Sequence, residues 1–148
     1  MKEYATKDIR NVVLLGSTKS GKTTLSESML FEGKVIARRG SVEEKNTVSD
    51  NTEFEQTNQK SISATALYAE FGGTKLNFID APGSDDFCGG ALSAFKVCET
   101  GVLVVNAQQG VEVGTEIYAR YAKQYGIPLV MAVNQLDHEK VSWERTRA

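Results

Sequence analysis

Gly16, Gly21, Lys22 and Thr23 fall in the order G-x-x-x-x-G-K-[ST] within "GSTKSGKT". A segment of this kind can wrap a phosphate group. Its glycines allow backbone conformations and close approach that a side chain would block, so successive N–H groups can point at phosphate oxygens. The amino terminus of a following helix adds partial positive charge at the same place. In that pattern the Lys22 ammonium reaches the β- and γ-phosphates and the Thr23 hydroxyl binds Mg²⁺. Ser17, Thr18, Lys19, Ser20 and Thr24 complete the cradle. A glycine turn that merely joins strand to helix is the plainer alternative, and it leaves the joint presence of every fixed position to chance.

Two further patterns extend the chemistry. Asp80 opens D-x-x-G, which places a carboxylate near the Mg²⁺ shell and the Gly83 N–H near a γ-phosphate. "NQLD" supplies Asn134, Gln135 and Asp137. The Asp137 carboxylate can accept from the ring N–H and the exocyclic amine of guanine, whereas adenine offers no such pair. A buried charged acceptor left unpaired costs about 1–3 kcal/mol or more. Asn134 would brace the loop against the base. Each short pattern is weak alone, because Asn and Asp populate turns for their own reasons. In chain order they give a phosphate loop, a polar loop, D-x-x-G and N-x-x-D, which is the order of GTP-binding domains.

The elements that must hold these residues read as α/β. "NVVLLG" is a continuously apolar, β-branched run, as expected of a strand buried on both faces. "TTLSESMLFEG" follows as a helix with Gly33 as its stop. Residues 34–60 are polar without a clear period and read as a long mobile loop, held in place only by γ-phosphate and Mg²⁺. "SISATALYAEF" and "KLNFID" flank Gly72-Gly73, a hairpin signal, so they should pair antiparallel. "GVLVVNA" and "PLVMAVN" supply two more buried strands, preceded by helices over 86–99, weakened by Gly89-Gly90, and over 115–125.

Composition narrows the function classes. A chain of 148 residues fits one domain. With 24% charged residues and a net charge of -2, it lacks the electrostatic footprint of a protein that grips nucleic acid unaided. No direct nucleic-acid binding is therefore expected of this chain alone. No apolar run approaches the roughly 18 residues of a membrane span and the amino terminus lacks a signal-peptide core, which points to a cytoplasmic protein without a membrane partner. Cys88 and Cys98 have no neighbours at zinc spacing and are expected reduced, at least one of them buried. His138 is expected to lie exposed at a helix start, without a catalytic role.

"RNVVLLGSTKSGKTTLSESMLF", "GSVEEKNTVSDNTEFE", "KLNFIDAPGSDDF", "GVEVGTE" and "VNQLD" together resemble the G domain of elongation factor G over nearly the whole chain. Among relatives the chain is similar to the divergent elongation factor G-like group and to the tetracycline ribosomal protection proteins. The resemblance implies a P-loop NTPase G domain: a mainly parallel sheet with one antiparallel edge hairpin and helices on both faces. It also implies GTP or GDP with Mg²⁺ as ligands, and a ribosome-bound translational GTPase that assists translocation. Lys22, Thr23, Asp80, Gly83, Asn134 and Asp137 keep the family's binding positions.

The departures cluster around catalysis. Lys19 stands where the family carries aspartate; it is either a solvated loop lysine or a cation set against the phosphates. Ser61 stands where the Mg²⁺-binding threonine is expected, so that Thr23, Ser61 and Asp80 form the implied metal set. Gln135 replaces the lysine of N-K-x-D. Ser84 occupies the position of the histidine that orients the attacking water; its plainer reading, a cap for the following turn, is compatible with lost catalysis. Binding is thus expected to survive better than hydrolysis. The family's G domain continues past N-x-x-D to a further base-contacting loop, and residues 1–148 are expected to be its amino-terminal part.

Overall fold

"VVLL" forms the heart of the central strand of a five-stranded sheet in this computed structural model, which describes residues 3–139, 141 and 143–147. The strands β1 (Ile9–Leu15), β2 (Thr65–Phe71), β3 (Thr74–Asp80), β4 (Thr100–Asn106) and β5 (Leu129–Asn134) lie in the order β2-β3-β1-β4-β5. β1 pairs in parallel with β3 and β4, and β4 in parallel with β5. Only β2 runs antiparallel, at one edge, with Phe71 opposite Thr74 across Gly72 and Gly73. Both turn glycines have positive φ, 55° and 85°, as a tight hairpin requires.

Helices cover both faces. Because side chains alternate along a strand, Leu14 meets one face and Val13 and Leu15 the other. On the first, α1 (Lys22–Glu32) lays Leu30 against Leu14, Ala69 and Phe78. On the second, α3 (Cys88–Ala94) and α4 (Val113–Tyr125) pack Ala91, Ala94, Tyr118 and Ala122 on Val13, Leu15, Leu103 and Val105. This is the α/β arrangement that the sequence implies. A short helix, α5 (Trp143–Arg147), follows β5.

Three local expectations need correction. Residues 34–60 are not without regular structure: α2 (Glu53–Asn58) lies within them, opened by a capping box between Thr52 and Glu55, and Thr47, Ser49, Asp50 and Glu55 are buried. The helix expected over 86–99 is shorter, a 3-10 turn at Asp85–Phe87 followed by α3. Gly33 stops α1 as expected, and its φ of -74° is not that of a left-handed cap. Its lack of a side chain serves close packing instead, since a Cβ there would lie 2.6 Å from the Ala69 Cβ on β2. His138 is exposed in a turn, not on a helix. The cysteines agree with expectation: both are free, Cys98 buried and Cys88 half-buried.

Candidate functional site

Parallel β1, β3, β4 and β5 all end on one edge of the sheet, and each motif sits where the chain leaves a strand there. Such an edge is where open α/β sheets bind ligands. The loop after β1 needs its glycines for contact as well as for conformation. A Cβ on Gly16 (φ 139°) would stand 2.2 Å from the Val104 carbonyl oxygen, and one on Gly21 (φ 97°) 2.1 Å from Asn134 Nδ2. Lys19 also has left-handed backbone, φ 64°, and is exposed.

Lys22, at the first position of α1, is buried beneath that loop. Its Nζ donates to the carbonyls of Gly16 at 2.9 Å and Ser17 at 2.8 Å, and stands 3.5 Å from Ser20 Oγ. Burial pushes this ammonium down to about 8, against the pull of Asp80, Asp50 and Glu112. An ammonium has three donors, so the third, with only the distant Ser20 hydroxyl, can turn to a phosphate oxygen. Gly83 closes over the same group, since a Cβ there would lie 2.5 Å from Lys22 Nζ and 2.8 Å from the Ser17 carbonyl oxygen. Any side chain at this step of D-x-x-G would displace the lysine or the loop.

Beside Lys22, Thr23 Oγ1 donates to Asp80 Oδ2 at 2.9 Å and lies 3.4 Å from Ser61 Oγ. The Ser61 hydroxyl donates to Asp50 Oδ1 at 2.6 Å. The structure thus brings together Thr23, Ser61 and Asp80, the residues of the implied metal set, and adds Asp50. Burial raises the pKa of Asp80, opposed by the hydroxyls of Ser49 and Thr23 and by Lys22. It likewise raises that of Asp50, opposed first by the Ser61 hydroxyl. Ser49 is close enough to favour the Asp80 carboxylate, yet its Oγ and Asp80 Oδ1 are both buried without a hydrogen bond of good geometry. An orphaned carboxylate oxygen among hydroxyls fits a hard cation such as Mg²⁺, which takes oxygen ligands. Among the described residues no three His, Cys, Asp or Glu side chains are grouped to hold a metal by themselves. A cation here would complete its shell from hydroxyls, water and phosphate.

Lys19, Lys22, Thr23, Asp50, Ser61 and Gln135 are among the residues that line a cavity of about 500 Å³, a size suited to a small ligand. Asn134 Nδ2 donates to the Ser20 carbonyl at 3.0 Å, and so braces the phosphate loop directly. Gln135, at φ 61°, donates from Nε2 to the Lys19 carbonyl at 3.1 Å and accepts from Asn106 Nδ2 at 2.8 Å. An amide thus holds the loop from the position where a lysine was expected. Asp137 is exposed in the turn that follows and is not part of the cavity wall.

Ser84 lies on the other side of Gly83, in a separate open groove with Glu112 and the exposed Val111 and Val113. Its hydroxyl donates to Asp86 Oδ2 at 3.3 Å, and its carbonyl accepts from Phe87 N at the start of the next turn. Asp50, Glu55 and Lys60 went unnoticed in the sequence. The Thr52–Glu55 spacing of a capping box was the available signal for Glu55. Asp50 and Lys60 sit in a polar run that offers none. Lys60 borders the cavity, and its Nζ rests 5.6 Å from the centre of the Phe87 ring, joining the segment before β2 to the turn after Ser84.

Comparison with known proteins agrees with this geometry. The chain is 35% identical over 135 residues to an elongation factor G-like protein of Mycobacterium tuberculosis, covering 91% of this chain and 19% of that protein. It is 32% identical over 133 residues to the tetracycline resistance protein TetM of Enterococcus faecalis, covering 90% of this chain and 21% of that one. A crystal structure of a protein from Thermus thermophilus superimposes with a TM-score of 0.90 at 33% identity, covering 94% of this chain and 21% of the other. The chain therefore spans about a fifth of the length of the relatives it matches. Residues 7–147 match the family described as the elongation factor Tu GTP binding domain, and the chain belongs to that family of guanine-nucleotide-binding domains.

Proposed function

We propose that this chain is the nucleotide-holding part of a cytoplasmic, elongation factor G-like translation factor that assists translocation on the ribosome and hydrolyses GTP slowly. What carries the reading is the meeting of Lys22, Thr23, Ser61 and Asp50 around one polar cavity at the carboxyl edge of the sheet, with the buried Asp80 hydrogen-bonded to Thr23. Backbone N–H groups from Gly16 through Thr24 and the Lys22 ammonium take the phosphates. Thr23, Ser61 and Asp80 would hold Mg²⁺, which would supply charge neutralisation at the phosphate oxygens. The Gly83 N–H meets the γ-phosphate, and Asn134, Gln135 and Asp137 form the base side.

Slow hydrolysis follows from Ser84. Its hydroxyl is shorter than an imidazole and is turned to Asp86, and a positioned acid, base or orienting group contributes about 10²–10⁴-fold in rate. Ground-state contacts to phosphate do not depend on it. Lys19 is a second candidate for catalysis, since a cation against the β–γ bridge stabilises developing charge. The similarity to TetM favours a second role for the whole factor, ribosomal protection, carried by the same nucleotide site.

The test is nucleotide binding by the full-length factor. GTP is expected to bind at least about tenfold more tightly than ATP, a difference of about 1.4 kcal/mol, and Asp137→Ala is expected to erase the preference. Equal affinity for the two nucleotides in the wild type would overturn the reading.

A further inference from the structure

Glu27 is a fully buried carboxylate that the nucleotide chemistry does not use. It lies on α1 four residues after Thr23, on the same face. Its two oxygens reach across to residues 40–48. Oε2 accepts from Gly40 N at 2.9 Å, and Oε1 accepts from Val48 N at 2.6 Å. A buried carboxylate is costly unless hydrogen-bonded, so these two amides and Glu27 fix one another. Gly40 is shaped for the contact, because a Cβ there would stand 2.8 Å from Glu27 Oε2 and 2.6 Å from the Asn46 carbonyl oxygen.

The consequence reaches the metal corner. Immediately after Val48 come Ser49 and Asp50, both buried, and the Asp50 carboxylate accepts from the Ser61 hydroxyl. Ser61 is held from its other side by Glu55, whose Oε1 accepts from Ile62 N and Ser63 N at 3.0 and 3.2 Å. Thr23 thus faces Ser61 because two buried carboxylates, Glu27 and Glu55, seat the segment that carries it. We propose that Glu27 is a positioning residue that, through the Gly40 and Val48 amides, sets Asp50 and Ser61 opposite Thr23 and so determines how strongly the nucleotide is bound through Mg²⁺. This rests on reading that corner as the Mg²⁺-nucleotide site. It also makes the segment a wall seated on the phosphate helix, rather than one ordered only by the γ-phosphate.

The experiment uses the full-length factor, its Glu27→Gln variant and its Gly40→Ala variant. GTP affinity is measured across a Mg²⁺ titration and in chelator, and amide hydrogen exchange is followed in the same proteins. In Glu27→Gln one acceptor becomes an amide donor facing a backbone N–H. The Mg²⁺ concentration for half-maximal GTP binding should rise about 10–100-fold, the usual effect of losing a residue that orients metal ligands. Affinity in chelator should not change. The Gly40 and Val48 amides should exchange faster while the α1 and β1 amides stay protected. Gly40→Ala should give the same Mg²⁺ shift from the opposite side of the contact, and it carries the test alone if Glu27→Gln does not fold. Variants that fold and bind GTP with the wild-type Mg²⁺ dependence would overturn the role of Glu27 and leave the proposed function standing. A wild type that binds no guanine nucleotide would remove both.

Discussion

Burial governs Lys22, and its consequence is a pH dependence that opposite charges alone would not give. The free ammonium titrates near 8 because the loop strips it of water. Phosphate binding favours the charged form and raises that value, so binding above pH 8 takes up a proton. Nucleotide affinity should therefore be full below about pH 8 and fall as pH rises through it. An equilibrium titration from neutral to alkaline pH checks this, and Lys22→Arg, which does not deprotonate, should flatten the profile whatever its absolute affinity. For folding, the unfolded chain binds more protons between about 8 and 10.5, so this group makes folding more favourable as pH rises through that window. Gly21 offers a steric test at the same scale. Gly21→Ala would push a Cβ to 2.1 Å from Asn134 Nδ2 at a left-handed φ, and loss of nucleotide binding with the fold retained by circular dichroism is the expected result.

Among the elements, the segment between α1 and β2 packs Ile36 on the core, but its polar stretch over 40–63 is held by buried carboxylates. Glu55 shows the balance: burial pushes its pKa up, but the Thr52 hydroxyl and the Ile62, Ser63 and Thr52 amides outweigh it and hold the value below the usual range. A depressed carboxylate stabilises above its unfolded pKa and loses that contribution as pH falls through the folded value. Exchange protection of the Ile62 and Ser63 amides should accordingly disappear at acid pH below the ordinary glutamate range, about 4.3, before that of β1. Thr52→Ala, which removes the cap of α2, should cost about 0.5–2 kcal/mol by chemical denaturation. Survival of that protection well below the glutamate range would show that something other than Glu55 holds the segment.

The same contrast explains what could be read from the sequence. β1, its glycine loop, the hairpin at Gly72-Gly73 and α4 were legible because apolar periodicity and turn glycines specify them locally. Segment 34–60 was not, because Glu27 and Glu55 order it through contacts to backbone amides, which leave no period in the side chains. The helix expected over 86–99 was overextended because Leu92, Phe95 and Cys98 keep a helical spacing. The chain there turns after Ala94, and Glu99 N donates instead to the Asn11 carbonyl on β1. In the site, spacing found Lys22, Thr23 and Asp80, whereas Asp50 came near Ser61 only through the path of the loop.

Across the whole molecule, the nucleotide corner at one edge of the sheet is connected to the helices behind it. Tyr118 on α4 donates to the Pro82 carbonyl at 2.8 Å, tying the Asp80–Gly83 step to the helix behind it. Through Lys60 and Phe87, the segment before β2 also touches the turn after Ser84. Among the described residues no helix is long and apolar enough to cross a membrane. In the proposed site, GTP is held while Ser84 stands in place of the group that would direct water at it. Single-turnover GTP hydrolysis on ribosomes by the full-length wild type, Ser84→His and Lys19→Asp tests this most directly. Slow turnover by the wild type and an acceleration by Ser84→His of up to about 10²–10⁴-fold are expected. Fast turnover by the wild type, abolished in Lys19→Asp, would contradict this reading and assign catalysis to the lysine.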